Sequence, residues 1–226
     1  MGGIIVLLLG KPTEKSLAIF LGLAVGIMVA VVVLDLLPSA WKYSNFYTTA
    51  AGFCLGIAVL GLIDLVLSVL RPACTGARNN RYLLNMGYLI AMGIALHDLP
   101  EGIAIAAGYE AQQSLGWLIA LAIGLHNIPE GMATAAPLRM GGMSQVGIIV
   151  VIGLVSIFTP LGTIIGVVLT KISPQLIALL LAMAGGAMIY IVRFELIPES
   201  RRRHPNYARL GAVIGFAIIL SLQAIH

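Results

Sequence analysis

The chain has 226 residues, 60% of them hydrophobic and only 10% charged, with a mean hydropathy of +1.03 and a formal net charge of +4. A soluble domain carries about 25% charged residues, so this composition excludes a water-solvated globule and points to a chain solvated mostly by lipid. The excess positive charge is no nucleic-acid footprint either, because the bases sit in short loops rather than on one face of a folded domain.

A hydrocarbon core about 30 Å thick needs roughly 20 apolar residues per helical crossing. The chain opens on Gly2 to Gly10, apolar but too short to span, with neither the basic start nor the small-residue site of a cleavable signal. Runs of spanning length follow at about 16–37, 47–70, 86–108, 115–138, 146–169, 175–197 and 207–225. They predict an all-α, polytopic bundle of seven full spans, forming one transmembrane domain over residues 1–226. Small residues at helical spacing, such as Gly52 and Gly56 or Gly162 and Gly166, mark close helix contacts. Cys54 and Cys74 have neither the spacing nor the context of a disulfide or a thiolate metal site.

Orientation follows from the alternating loops. Lys11, Lys15, Arg71, Arg78, Arg81, Arg139, Arg201, Arg202, Arg203 and Arg209 fall on one side, and only Lys42 and Lys171 on the other. The side rich in Lys and Arg faces the cytoplasm. The loops at 71–85 and 198–206 are therefore expected inside and the carboxyl terminus outside, in a multi-pass protein of the cell membrane.

One internal repeat stands out. Leu96-His97-Asp98-Leu99-Pro100-Glu101-Gly102 recurs twenty-nine residues later as Leu125-His126-Asn127-Ile128-Pro129-Glu130-Gly131. Both copies fall near the middle of their helices, and the short connection makes those helices antiparallel neighbours, a pair covering 86–138. Within each copy His and Glu are four apart, so they project from one helical face. Each proline lacks an amide hydrogen, which deprives the carbonyl of Leu96 or Leu125 of its helical donor. At membrane depth such an oxygen must be satisfied by water, a neighbour or a cation.

The bilayer centre is thus expected to hold His97, Asp98, Glu101, His126, Asn127 and Glu130. Each carboxylate there costs about 2.5–3.5 kcal/mol on insertion scales. No Lys or Arg lies between Arg81 and Arg139 to neutralise the group from within the hairpin. A divalent cation would do so, and imidazole with carboxylate suits zinc, iron, manganese or cadmium better than magnesium or calcium.

These two motifs, HDLPEG and HNIPEG, resemble the paired signatures of the ZIP (Zrt/Irt-like) metal transporters, in particular their short bacterial branch. The resemblance covers nearly the whole chain, with GLAVGIMVAVVVLDLLP at Gly22 to Pro38 similar to the family's second helix and AGGAMIYIVRFELIPES at Ala184 to Ser200 similar to its seventh. It implies an eight-helix fold, of whose first helix Gly2 to Gly10 is a short remnant, with both termini outside. It also implies zinc or a related divalent metal as the transported substrate, no organic cofactor, import toward the cytoplasm and a homodimer. His97, Asp98, Glu101, His126, Asn127 and Glu130 match the family's transport-site positions, and Met28 matches a position near that site. Thr159-Pro160 stands where bacterial members have Glu before Pro in the sixth helix, which removes a carboxylate a second metal would use. Arg193 stands where an acidic or imidazole residue often precedes the Glu of the seventh helix.

The remaining acids suggest a route by depth. At 1.5 Å per residue, Asp35 lies roughly 13 Å outward of the midplane, Asp64 roughly 8 Å inward and Glu195 roughly 13 Å inward, with Glu199 just beyond. Metal would enter past Asp35 and leave past Glu195, with Asp64 and Glu199 as further pathway residues; Asp35, Glu195 and Glu199 read equally well as interfacial charges reaching water. Two other classes compete with a carrier. An intramembrane metal-dependent hydrolase could use His and Glu to activate water, but the H-E-x-x-H order of metalloproteases occurs nowhere here. A proton or cation channel could use the acids as relay groups.

Overall fold

A computed structural model of the protein describes residues 2–8, 13–69, 78–111, 113–169 and 173–224. Helix α1 covers Gly2–Leu8. Helix α2 runs from Glu14 to Tyr43 in three continuous pieces, α-helical Glu14–Val31, a π-helical turn Val32–Leu36 and α-helical Leu37–Tyr43. Helices α3 (Phe46–Val69), α4 (Arg78–Ala111) and α5 (Gln113–Met140) follow. Helix α6 comprises Gln145–Ser156 and Phe158–Leu169, separated by a turn at Ile157. Helix α7 repeats the build of α2, with Pro174–Ile191, a π-helical turn Val192–Leu196 and Ile197–Arg203, and α8 is Pro205–Ala224. No strand occurs among the described residues. By length and composition five of these helices, α2, α3, α4, α6 and α7, can cross a membrane, and α8 offers a shorter apolar run at Pro205–Ser221.

The described parts of all seven apolar runs fall in helices, residues 70 and 225 lying outside the described residues, and the corrections concern helix ends and the break at Ile157. The expected stops at residues 37 and 197 precede Pro38 and Pro198, yet both helices continue. A wide turn absorbs each missing amide: Leu37 N–H reaches back to Val32 O, and Ile197 N–H to Val192 O, one residue further than α-geometry. The expected loops shrink in consequence. Helix α4 begins at Arg78, inside the expected loop 71–85, and only His204 separates α7 from α8 in the expected loop 198–206. Arg201, Arg202 and Arg203 in the last turn of α7 complement its carboxyl-terminal dipole, which favours helix over loop there. Pro160 acts as a breaker, since it denies Ser156 O its α-helical donor and α6 is interrupted at Ile157. Gly10, Lys11, Arg71, Cys74 and Lys171 lie outside the described residues; Cys54 is an exposed free thiol.

The helix starts are written locally. Thr13 and Ser16 form a reciprocal capping box on α2, Ser144 accepts from Gly147 N–H on α6, and Ser173 accepts from Leu176 N–H on α7 with Pro174 in the first turn. Gly142 at φ 93° makes the turn between α5 and α6.

Helix α2 and helix α7 are related by a constant offset of 160 residues that aligns Met28 with Met188, Asp35 with Glu195 and Pro38 with Pro198, together with their π turns. Their partners follow the same register. Gly211 and Gly215 of α8 sit on the backbone of Ile19 and Leu23 in α2, and Gly52 and Gly56 of α3 sit on Leu179 and Met183 in α7, all so closely that a Cβ would strike a carbonyl oxygen. In both pairs the contacts advance together, so α2 is parallel to α8 and α3 to α7. Because α2 and α3 reverse through Ser44-Asn45, α2 and α7 run in opposite senses: the two halves form an inverted repeat. Helices α4 and α5 lie between the halves in sequence. Helix α4 runs parallel to the second part of α6, where Gly162 and Gly166 accept the backbone of Leu99 and Ile103, and antiparallel to α5, where Gly87 abuts Leu138 and Gly116 abuts Tyr109. Apolar clusters around Met28, Ile90, Ile94 and Leu138, and around Ile27, Val31, Leu181 and Met188, fill the interior.

Candidate metal site

The repeated motifs occupy the interiors of α4 and α5, as their spacing predicts. Asp98 and Glu101 are each 2% exposed and Glu130 is 1% exposed. A cavity of about 100 Å³ opens between α4, α5 and the first part of α6, roughly the liquid-state share of three waters. Its polar walls are Asp98 from α4, Asn127, Glu130 and Thr134 from α5, and Ser156 from α6; Gly124 and Gly131 keep it open. Two carboxyl groups from different helices therefore face one small space, and Asn127 Oδ1 is buried without a hydrogen-bond partner among the described residues. Oxygen ligands of this kind suit a partly hydrated divalent cation. Pro129, inside α5, supplies no amide hydrogen to the carbonyl of Leu125 one turn earlier.

Not every expected member lines this space. Glu101, as buried as Asp98, is not among the cavity walls. Among the described residues no three His, Cys, Asp or Glu side chains converge as a ready-made cage, and the side chains of His97 and His126 lie outside the described set. Met28 is fully buried in the same apolar cluster as Ile94, which forms one wall of the cavity. Thr159 does not reach the cavity, and its carbonyl packs against Gly102 instead.

Two walls were missed by the sequence reading. Thr134 lies one turn after Glu130 on the same face of α5, and its hydroxyl donates to Glu130 O at 3.1 Å; that spacing alone could have found it. Ser156 is placed by the break before Pro160, and its hydroxyl donates to Ile152 O at 2.9 Å.

The outlying acids take positions related by the inverted repeat. Asp35 accepts a hydrogen bond from the Gln223 side-chain amide. At the equivalent place in the other half, Asp64 accepts from the Tyr190 hydroxyl at 3.0 Å, and Tyr190 lies in the fields of both Asp64 and Glu195. Arg193 is exposed and stacks its guanidinium over Phe194, 5.5 Å from the ring centre. Glu199, 1% exposed, does not reach water as an interfacial charge: Arg202 donates to both its oxygens at 3.0 Å, and Arg203 Nε donates at 2.6 Å. Arg203 also spans to Glu14 at the start of α2, at 2.7 Å.

Comparison with known proteins removes one of the competing readings. The family model described as ZIP Zinc transporter matches residues 76–223, a stretch that contains both motifs. The chain belongs to the ZIP zinc transporter family. The zinc transporter ZupT of Corynebacterium glutamicum is 31% identical over 97% of this chain and 91% of that protein, and the ZupT of Chlorobium limicola is 31% identical over 97% and 90%. The zinc transporter GufA of Myxococcus xanthus is 38% identical over 62% of this chain and 56% of that protein. This ZIP protein is accordingly an integral membrane protein of a transporter family, and the hydrolase reading falls.

Proposed function

We infer that this ZIP protein carries zinc, and with it iron, manganese or cadmium, from outside the cell into the cytoplasm by alternating access. The observation that supports this reading is a cavity on which the buried carboxyl groups of Asp98 and Glu130 converge from two different helices, Asp98 next to His97 in sequence and Glu130 one helical turn after His126. Metal binds there through imidazole and carboxylate groups, and the oxygens of Asn127, Thr134 and Ser156 replace part of its hydration shell. Glu101 lies about one turn outward of Asp98 on α4 and meets the metal before it is handed inward. The helix pair 86–138 with α6 shifts against the scaffold of α2, α3, α7 and α8, an elevator-like displacement that exposes the site first to one side and then to the other.

In this reading the chain crosses the membrane seven times and works as a homodimer. At about 1.5 Å per residue, the 28 residues of α5 reach about 42 Å, ample for a crossing. Asp35 with Gln223 forms the outer approach, and Asp64 with Glu195 the inner exit. Glu199, tied to Arg202 and Arg203, gates that exit.

Radioactive zinc uptake into proteoliposomes tests the proposal. The quadruple variant His97→Ala, Glu101→Ala, His126→Ala and Glu130→Ala is expected to transport no faster than empty vesicles, whereas wild-type uptake by that folded variant refutes the site. Ionic currents far above carrier turnover would point to a channel instead.

A further inference from the structure

Another cavity lies away from the metal site, where the end of α2 turns into α3. It is an open groove of about 560 Å³, inside the ~300–1,000 Å³ range of small-ligand pockets. Val33, Leu37 and Trp41 line it along α2, and Phe46 and Phe53 along α3; among the described residues Lys42 is the one cation on its wall, and no carboxylate lines it. From Val33 to Lys42 the groove follows α2 for about 13 Å at 1.5 Å per residue, along the helix rather than across it. The apolar floor thus runs from a charged mouth toward the middle of the bilayer.

The mouth lies at the level of an interface. Trp41 and Phe46 meet edge to face with ring centres 6.1 Å apart, and Tyr47 beside them is 82% exposed. Tyr109 and Trp117, at the junction of α4 and α5, pair in the same manner at 5.9 Å. Aromatic side chains gather in this way at the headgroup level. Lys42, on a long apolar stem, places its ammonium at that level while the stem covers the groove wall. A cation above an apolar slot aligned with the membrane normal complements one kind of molecule, an anion carrying a hydrocarbon chain.

We propose that this groove is a binding site for an anionic phospholipid of the surrounding membrane, one acyl chain lying along Val33, Leu37 and Phe53 and the phosphate diester paired with Lys42. The occupant has the right polarity at each end: the slot takes the chain, and the ammonium distinguishes a net anionic headgroup from a zwitterionic one, whose own cation competes for the phosphate. The site is distinct from the metal cavity and shares no wall with it.

The test uses the two tryptophans of the chain, Trp41 and Trp117. In the full-length Trp117→Phe protein, reconstituted in vesicles, fluorescence reports Trp41 alone. Phosphatidylglycerol and phosphatidylcholine with the same brominated acyl chains are compared as quenchers in both leaflets. Phosphatidylglycerol is expected to occupy the groove roughly fivefold more strongly. Lys42→Gln should reduce that preference to unity, Lys42→Arg should retain it, and Ala50→Phe, which fills the groove, should lower quenching by both lipids. Equal quenching by the two headgroups, or a preference that survives Lys42→Gln, overturns the proposal. Absence of quenching by either lipid in a protein that migrates as a dimer also overturns it, because the groove is then covered by a second copy.

Discussion

In the proposed carrier Asp98 and Glu130 are the residues on which metal binding turns, because each brings a carboxyl group from its own helix to one small cavity. Glu130→Ala removes a ligand without filling the cavity, and zinc uptake at a fixed low zinc concentration is expected to fall at least tenfold. The third wall invites the opposite experiment. Ser156→Asp adds a carboxylate where α6 offers only a hydroxyl, so cadmium should bind more tightly by titration calorimetry and leave more slowly in efflux assays. Acid should act through the imidazoles of His97 and His126. A protonated ring is not a ligand, so uptake is expected to weaken as the medium is made acidic. The motif residues were legible because histidine, carboxylate and proline at fixed spacing in an apolar run have few purely structural uses. Ser156 was not, since a serine in an apolar helix is commonplace and only the break before Pro160 aims it.

At the scale of the helices, close approach is the dominant device. Gly56 sits where a side chain would enter the backbone of α7 at Met183. Gly56→Leu should therefore fail to accumulate as folded protein, its cost exceeding the usual 1–3 kcal/mol of overpacking because backbone cannot yield. Gly153 supplies the control, since nothing lies within 4 Å of its added Cβ, and Gly153→Leu should express and transport normally. Expression level and size-exclusion profile report both. Hydropathy located each helix body, because burial in lipid demands length and apolarity and little else. It misplaced the ends, because the apolar runs give out near residues 37 and 197, whereas a π turn accommodates Pro38 and Pro198 and lets each helix run on.

Across the whole molecule, the two halves are held at one end by a compact ionic junction. Arg203 joins Glu199 in its own helix to Glu14 at the start of α2 and is itself only 7% exposed in its side chain. Arg202 reaches from the same junction to the ring of Tyr82 on α4, 5.4 Å from its centre. Arg203→Ala leaves Glu199 buried with one guanidinium instead of two, so thermal unfolding in detergent should drop by the equivalent of about 1–3 kcal/mol. Glu14→Gln, at a largely exposed site, should change it little. None of this was legible in the sequence, where Glu199 and the arginine run read as separate interfacial charges; the contact depends on α7 continuing past Pro198. The inverted repeat was equally concealed, although its two segments are visible singly, because the offset of 160 residues joins positions that share shape more than identity.

That hidden repetition has an energetic corollary. When one half of a chain is an inverted likeness of the other, the surface it offers near one face of the membrane nearly recurs near the opposite face with the roles exchanged. In the proposed carrier cycle the moving helices would then find similar seats at both ends of their travel, and the difference between those seats would come from the few places where the likeness lapses, such as an amide at residue 223 opposite an acid at residue 64.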